Sequence, residues 1–452
     1  MFNSPLETIM KQEVDAVRRS PPQVIAYNYK VIVHTPTRDI SALLIGGVHV
    51  LRDYYTRFGD VLSIQASFAV GDIVHDILPN HEDLEITLIR IPLLATANYQ
   101  TASNQSQKVA RYTAKLYDAR NLLAEGKTLI AANKNEANSN NILSVDFQLI
   151  SPALNKLRVA TFNGTVRDST GMDTVRAILQ SCDPDCKNIT TEPGFDTKPK
   201  DHILIPPLTR IVDIPKRINQ TVGGMYSAGF CYYRQANGWY LFAPYNVNYY
   251  HVAPLTLTII NIAKNKLPEM EVTFRKTASQ LIVLGTGDTS HIDFSETNIY
   301  NQGNGVRFVD SNSIIEGFGE VVNNKLVVDR TKNVTQMVDP TMQRKVNNAV
   351  QSPARITDKY NLEYSELLRR AGSLVQVEWE AAEIDNIYPG MPVRYMYMDG
   401  EIAKEIYGRV LGVECKSRQT NRDPKQRIFI DDAIVTLFVS RSAKPSTDPI
   451  AL

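Results

Sequence analysis

The spacing of apolar positions along this chain changes several times, and each change marks an element. Leu6, Ile9, Met10, Val14 and Val17 recur at intervals of three and four, which predicts an amphipathic helix within residues 1–19, stopped by Ser20, Pro21 and Pro22. Such a helix is expected to be an arm docked on its own core or on a neighbour. After the prolines the period drops to two. Ile25, Tyr27, Tyr29, Val31 and Val33 share one face of a strand, and Leu62, Ile64, Ala66, Phe68 and Val70 share one face of another. A short helical insert carrying Ile73, Val74, Ile77 and Leu78 leads to a third strand, Leu84 to Leu94. Tyr112, Ala114 and Leu116 alternate inside a polar stretch from Ala95 to Asn141, read as a strand within long loops; strand-like order resumes from Asp146 to Ala160.

The middle of the chain reads differently. Thr161 to Thr170 is expected to be a turn region, with Ser169 or Thr170 capping a helix that buries Met172, Val175, Ile178 and Leu179. Asp213 is placed to cap a second helix whose stripe is Ile214, Ile218, Val222 and Met225, with Pro215 tolerated in its first turn. Phe230 to Arg234 and Trp239 to Ala243 flank Asn237-Gly238, a hairpin signal. Alternation returns at Leu255, Leu257 and Ile259, with further strands at Glu271 to Lys276 and Gln280 to Leu284. There follow a Gly- and Asn-rich loop at Asn301 to Gly305, a hairpin Val321 to Val328 turning at Asn323-Asn324, a polar excursion Thr331 to Thr357 and a helical Leu362 to Ala371.

The last eighty or so residues are the most regular. A strand Ser373 to Trp379, a Pro-Gly-Met-Pro turn at Pro389 to Pro392, a strand Val393 to Met398, an Asp399-Gly400 hairpin turn and two closing strands ending at Thr436 to Val439 predict a small closed or nearly closed barrel. The fold class expected is therefore mainly β with α+β character. Its parts are an N-terminal helical arm (1–21), a first β domain (22–160, with a polar insertion about 95–141) and an α+β middle domain (161–250). A second β domain (251–441, with an insertion about 331–372) and a tail (442–452), an arm ordered on binding or a loose end, complete it.

Composition narrows the function. At 452 residues the chain has room for about two to four domains. Its 49 basic and 48 acidic residues give a net charge of +1, which argues against coating nucleic acid or binding an anionic membrane. Four cysteines are too few for a disulfide framework at this length and fit a reducing compartment. No apolar run is long enough for a membrane-spanning helix, and the first segment does not read as a signal peptide.

Candidate chemistry is thin. Cys182 and Cys186 in Cys-Asp-Pro-Asp-Cys lack the second ligand pair a zinc site needs. His75 and His81, beside Asp76, Glu82 and Asp83, are six apart rather than the three or four that share a helix face. Gly285-Thr286-Gly287-Asp288 lacks the Lys-Ser/Thr ending of a phosphate loop and reads as a turn. Asp288, Ser290 and His291 lie close in sequence without a nucleophile elbow. Glu378, Glu380, Glu383 and Asp385 mimic paired glycosidase carboxylates but read as solvent-facing acids on a strand that buries Val375, Val377 and Trp379. No residue is assigned a catalytic, cofactor-binding or metal-ligating role, no cofactor is expected, and the chain is read as a non-enzyme. Twenty-one tyrosines, clustered at Tyr54-Tyr55, Tyr232-Tyr233, Tyr245 to Tyr250 and Tyr395-Tyr397, suit interfaces or cross-strand pairs.

The order of parts resembles the baseplate or tail hub proteins of contractile-tailed bacteriophages, which are similar to the first half of type VI secretion spike proteins. The resemblance spans about Pro22 to Arg441 and is carried by three stretches. These are Phe147-Gln148-Leu149-Ile150-Ser151-Pro152-Ala153-Leu154 with Val166-Arg167-Asp168-Ser169-Thr170; Ile387-Tyr388-Pro389-Gly390-Met391-Pro392-Val393; and Tyr407-Gly408-Arg409-Val410. It implies two tail-tube-like barrels per chain and a homotrimer whose six barrels adapt the sixfold tail tube to a threefold central spike. The implied partners are the spike, tail tube or tube-initiator, tape-measure protein and baseplate wedge components, in a virion tail tip assembled in the host cytoplasm. No membrane is involved, and DNA is met only in transit. The other readings are a sixfold tail adaptor ring with one barrel per subunit and a cell-wall-degrading tail enzyme.

Overall fold

Strand pairing in this protein closes on itself twice. The computed structural model describes residues 5–20, 24–94, 107–116, 142–262, 272–293, 372–420 and 427–440. Short pieces at 307–310, 320–322, 325–327 and 349–352, fragments between 361 and 369, and residue 445 are also described. In chain order the strands are β1 (Val24–His34), β2 (Asp39–Ser41), β3 (Leu44–Asp53), β4 (Val61–Ala69), β5 (Leu84–Leu94), β6 (Lys108–Leu116) and β7 (Ile142–Ile150). Next come β8 (Thr161–Ser169), β9 (Asn188–Thr191), β10 (Lys200–Arg210), β11 (Cys231–Gln235) and β12 (Gly238–Phe242). Then follow β13 (Thr256–Ile262), β14 (Phe274–Lys276), β15 (Gln280–Asp293), β16 (Arg307–Asp310), β17 (Glu320–Val322), β18 (Lys325–Val327) and β19 (Ala349–Ser352). The last are β20 (Gly372–Trp379), β21 (Pro392–Asp399), β22 (Ile402–Gln419) and β23 (Phe429–Ser440).

One circuit runs β22-β3-β4-β7-β6-β5-β1-β23 and returns to β22. The other runs β13-β21-β22-β23-β20-β15 and returns to β13, with β14 beside β15. Both use the hairpin β22–β23, whose strands are 18 and 12 residues long. Along β22, Ile402 to Arg409 pair with β21, while Gly412 to Lys416 pair with β3. Along β23, Ala433 to Ser440 pair with β20, and Phe429 lies opposite Tyr27 of β1. Successive inward positions of β23 therefore serve two interiors: Phe429 lies in the first core, and Ala433, Val435, Leu437 and Val439 lie in the second.

Period-two patterning accounts for the filling. Tyr27, Tyr29, Val31 and Val33 of β1 and Leu62, Ile64, Ala66 and Phe68 of β4 pack with Phe147 and Leu149 in the first interior. Leu257, Ile259, Leu281, Val283, Val377 and Trp379 fill the second. Side chains occupy both interiors, as small closed sheets require. β13 is hydrogen-bonded in parallel on both sides, to β15 and β21, and parallel strands are characteristically covered on both faces. Its outer face meets the N-terminal helix Pro5–Arg18, where Met10 and Val17 pack on Ile260, Ile282, Leu284 and Met396. The arm thus docks on the second circuit of its own chain, with Ile9 turned outward.

Between the circuits in sequence, helices Gly171–Cys182 and Ile214–Thr221, the ribbon β8–β10 and the sheet β11-β12-β9 build a third core, which abuts Leu411 and Phe438 on the back of the shared hairpin. Thr170 caps the first helix by accepting from Asp173 N at 3.0 Å, as its sequence predicts.

Several expectations are corrected. Asp146 to Ala160 is not all strand: Ser151 accepts from Leu154 N, Pro152 occupies the first turn, and helix Pro152–Val159 buries Leu154 and Leu157. Thr161 to Ser169 is strand β8 rather than a turn, because β10 supplies its ladder. Asp213 makes no side-chain cap; it accepts from Arg210 Nε at 2.6 Å instead. The β11–β12 turn sits one residue early, on Ala236-Asn237, with Ala236 at φ 52°. The β21–β22 turn sits one residue late, on Gly400-Glu401. Gly285 to Asp288 is not a turn; it lies within β15, where the register against β20 shifts between Thr286 and Ser290. β17 and β18 pair with Val322 opposite Lys325, as the Asn323-Asn324 hairpin requires. The expected loop at Asn301 to Gly305, most of Thr331 to Thr357 and the tail 442–452 apart from residue 445 fall outside the described residues.

Candidate functional site

The densest polar constellation lies where the loop joining β20 to β21 enters the first circuit. Inward positions of the first circuit are apolar until they reach this end. There β3 runs Val48, Val50, Arg52; β5 runs Leu88, Arg90; β6 begins Lys108, Ala110, Tyr112; and β22 and β23 add Cys415, Ser417 and Asp431. These side chains, with Ile384 and Asp385 from the entering loop, line a cavity of about 170 Å³.

Asp385 is gripped by three cations, Arg52 at 2.9 Å, Arg90 at 3.1 Å and Lys108 at 2.6 Å. Arg52 also donates to Ile384 O at 2.9 Å and to Asp60 at 3.2 Å. Arg90 reaches Asp431 at 2.6 Å and lies over the Tyr27 ring, 3.5 Å from its centroid. Asp431 further accepts from Ser417 at 2.6 Å and from Tyr29 at 3.1 Å, and Tyr27 donates to Glu383. Burial by itself would raise the Asp385 carboxyl; Arg52, Arg90 and Lys108 outweigh it and hold the group well below the usual carboxylate range. Burial pushes the Tyr27 and Tyr29 hydroxyls above their ordinary range and Tyr112 up to about 12, so all three stay protonated, and Tyr27 and Tyr29 remain donors.

This arrangement pins one circuit to the other. They share the hairpin β22–β23 as a common wall; here a loop of the second is held in the mouth of the first by opposed charges. Tyr233 of the middle unit joins by donating to Asp60 at 2.9 Å and packing edge-on against Tyr54 at 4.8 Å.

The stretches that carried the family resemblance lie at other junctions. Gly390 has φ 69°, and a Cβ there would stand 2.3 Å from the Phe242 ring of β12. Only glycine lets the turn accept that ring. Met391 O then accepts from Val410 N at 2.9 Å. Gly408 lies so close to β23 that a Cβ would meet the Phe438 carbonyl oxygen at 1.8 Å. Arg409, fully buried, pairs with Glu192 beneath the Tyr249 ring. Leu154 fills the space beside Gly59.

The other sequence candidates are scattered. Of the acidic quartet, Glu383 and Asp385 belong to the charged junction, correcting their reading as solvent-facing strand acids, while Glu378 stays exposed on β20. Asp76 is taken by Arg38 and Thr37, and His81 contacts Leu78 O. Cys182 and Cys186 are free, partly exposed thiols. Among the described residues no group of three or more His, Cys, Asp or Glu is placed to hold a metal ion, and no helix is long and apolar enough to cross a membrane. Asp288, Ser290 and His291 lie on β15. The tyrosines divide between contacts along a strand and inter-unit contacts: Tyr395 stacks on Tyr397 of the same strand, while Tyr240 stacks on Tyr388 and Tyr55 meets Tyr245. The junction itself escaped sequence reading, although charges at inward positions of otherwise apolar strands are its signal.

No family model and no curated protein matches the chain. Among solved structures it is similar to the tail protein from Neisseria meningitidis MC58, with a TM-score of 0.48 and 11% identity over 91% of this chain and 96% of that one. It is similar to the 43 kDa tail protein of prophage MuSo2 from Shewanella oneidensis, with a TM-score of 0.46 and 6% identity over 91% and 96%. It is also similar to a type VI secretion system component of Escherichia coli, itself described as structurally similar to T4 phage tail proteins, with a TM-score of 0.41 and 8% identity over 92% and 79%. All three are tail or type VI secretion proteins.

Proposed function

We propose that this chain is a structural protein of a phage tail, a trimeric hub at the tail tip. In this reading the two strand circuits are two tail-tube-like barrels, so that three copies present six barrels to the tail tube and a threefold face to a central spike. The observation that carries the reading is the double closure of one chain on a shared hairpin. Two closed sheets rigidly joined within a chain are what a threefold-to-sixfold adaptor needs, because symmetry mismatch is resolved by internal repetition.

Both interiors are filled with side chains, so the conduit for DNA and tape-measure protein runs between subunits, around the threefold axis. A near-neutral charge suits passage without retention. The tube-initiator, spike and wedge components are the partners this reading requires, in the virion baseplate. No catalytic step is proposed: Glu383 and Asp385 are engaged by Tyr27, Arg52, Arg90 and Lys108.

Light scattering of the purified chain, followed by a reconstruction of the particle tip, tests the reading. A trimer with six barrel densities in a ring supports it. A hexamer with one barrel per copy in the ring would replace it with a sixfold adaptor, and a monomer that clears peptidoglycan would replace it with an enzyme.

A further inference from the structure

The two outer edges of the ribbon β8–β10 are unequally defended. β10 carries Pro206 and Pro207, and Leu208 holds φ 62°, where the ladder slips between Ile205 and Thr209. Prolines and irregularities of this kind keep a further strand from adding. β8, nine residues long, carries neither proline nor lysine, and its ladder runs in step from Gly164 opposite Ile205 to Ser169 opposite Lys200. Among the described residues no backbone group of Thr161 to Ser169 bonds outside that ladder, and none of these residues is buried. β8 therefore presents a row of free N–H and C=O groups to solvent.

Pairing fixes what flanks that edge. Val166 lies opposite Ile203 and Gly164 opposite Ile205, and both isoleucines are buried in the third core. Phe162 and Val166 pack against the same core but are only half-buried, and a Cβ on Gly164 would meet nothing within 4 Å except the Phe162 ring, at 3.7 Å. The apolar face of the ribbon thus overhangs its core along β8. On the other face Arg167 stands opposite His202 and Thr165 opposite Leu204, all four exposed. Arg167 has no ion pair among the described residues, and its neighbours on that face, Thr165, Ser169, Lys200 and His202, include no acid.

We infer that β8 accepts an extended segment of a partner protein as the third strand of this ribbon, antiparallel to it, with apolar side chains beside Phe162, Gly164 and Val166 and an acidic side chain beside Arg167. Backbone pairing supplies the affinity of such an added strand, and the alternation of its side chains supplies the specificity. The occupant's chemistry follows from the two faces: one is apolar and short of cover, the other offers a cation without a counterion. A second copy of β8 does not meet it, because pairing with the faces matched sets only Thr161, Asn163, Thr165, Arg167 and Ser169 of that copy on the side of Arg167. The inference does not depend on the number of copies in the hub.

The probe is the peptide Thr-Ser-Glu-Val-Thr-Phe-Thr-Val-Thr. Laid antiparallel to β8, it sets Glu beside Arg167, a Val beside each of Val166 and Phe162, and Phe beside Gly164, where an aromatic side chain covers a strand glycine. Added to the full chain, it is expected to bind saturably and to slow amide hydrogen exchange between Phe162 and Ser169. Replacing its Glu by Lys should weaken binding about tenfold. In the Arg167→Glu variant the preference between the two peptides should reverse, an outcome that loss of structure would not produce. Absence of saturable binding overturns the inference, as does equal binding of the Glu and Lys peptides. Slow exchange along β8 in the wild-type chain without peptide overturns it too, because the edge is then already paired. The mass of the wild-type chain in solution, which decides the hub reading, leaves these outcomes unchanged.

Discussion

Arg409 of β22 and Glu192 of the middle unit form an ion pair in which the arginine side chain is completely buried and the glutamate 5% exposed. Burial pulls the Arg409 guanidinium down to about 9, which leaves it cationic at neutral pH and in need of its counterion. Ala243 N donates to the other Glu192 oxygen at 3.3 Å, while Arg409 Nε and Nη1 have no hydrogen-bond partner among the described residues. Such a pair adds little net stability but is costly to break, because removing one partner strands a charge. Glu192→Leu is therefore expected to lower stability by about 3–5 kcal/mol. The double variant Glu192→Leu/Arg409→Met should lose far less. Urea midpoints decide: equal losses in the two variants would show that packing, not charge, dominates.

Asp385 gives the fold a pH dependence of definite sign. Its carboxyl lies lower in the folded chain than in the unfolded one, so its stabilisation is complete above the ordinary carboxylate value and drains away as pH falls towards the folded value. At pH 7 Asp385→Asn is expected to cost about 2 kcal/mol, tempered by the 32% exposure of the side chain. Measured between pH 7 and pH 2, the unfolding curves of the wild type and of the Asp385→Asn variant should converge only below about pH 4. A gap that stays constant to pH 2 would mean that the ion pairs contribute nothing.

Glycines at similar φ angles predict dissimilar costs. Gly390 has φ 69° with the Phe242 ring where a Cβ would lie, whereas Gly400 has φ 62° with nothing within 4 Å. Gly400→Ala should cost about 1 kcal/mol for backbone strain alone. Gly390→Ala adds overpacking of about 1–3 kcal/mol, and Phe242→Leu in the same chain should recover part of it. Thermal melts of the three variants check the order.

What could be read from the sequence follows burial. β1 and β4 were legible because one face is core and the other is wet, and helix Gly171–Cys182 because Thr170 and a regular stripe frame it. β8 was not: in this two-stranded ribbon none of its side chains is buried, so no period marks it, and the ladder from β10 makes it a strand. Helix Pro152–Val159 carried a legible cap in Ser151-Pro152, outweighed by the alternating Phe147 and Leu149 just before it. The shared use of β22–β23 was hidden because register across distant strands leaves no local mark; only the length of β22 hints at it. Arg52, Arg90, Lys108 and Asp385 lie far apart in sequence, and their meeting is a product of closure.

The N-terminal helix offers the last test. Val17 is completely buried against the outer face of the second circuit, while Ile9, on the same helix, is 38% exposed. Val17→Asp would bury a carboxylate among Met10, Ile260, Ile282, Leu284 and Met396, at a cost of several kcal/mol if the helix stayed docked. Undocking is the cheaper response, and it uncovers those apolar side chains while leaving the second interior, filled by Leu257, Ile259 and Trp379, in place. Val17→Asp is therefore expected to bind a hydrophobic dye and to yield rapid proteolysis within residues 5–20, with the global unfolding free energy lowered by only about 2 kcal/mol. Ile9→Asp should do neither. Loss of all cooperative unfolding in Val17→Asp would instead make the helix an integral part of the second circuit.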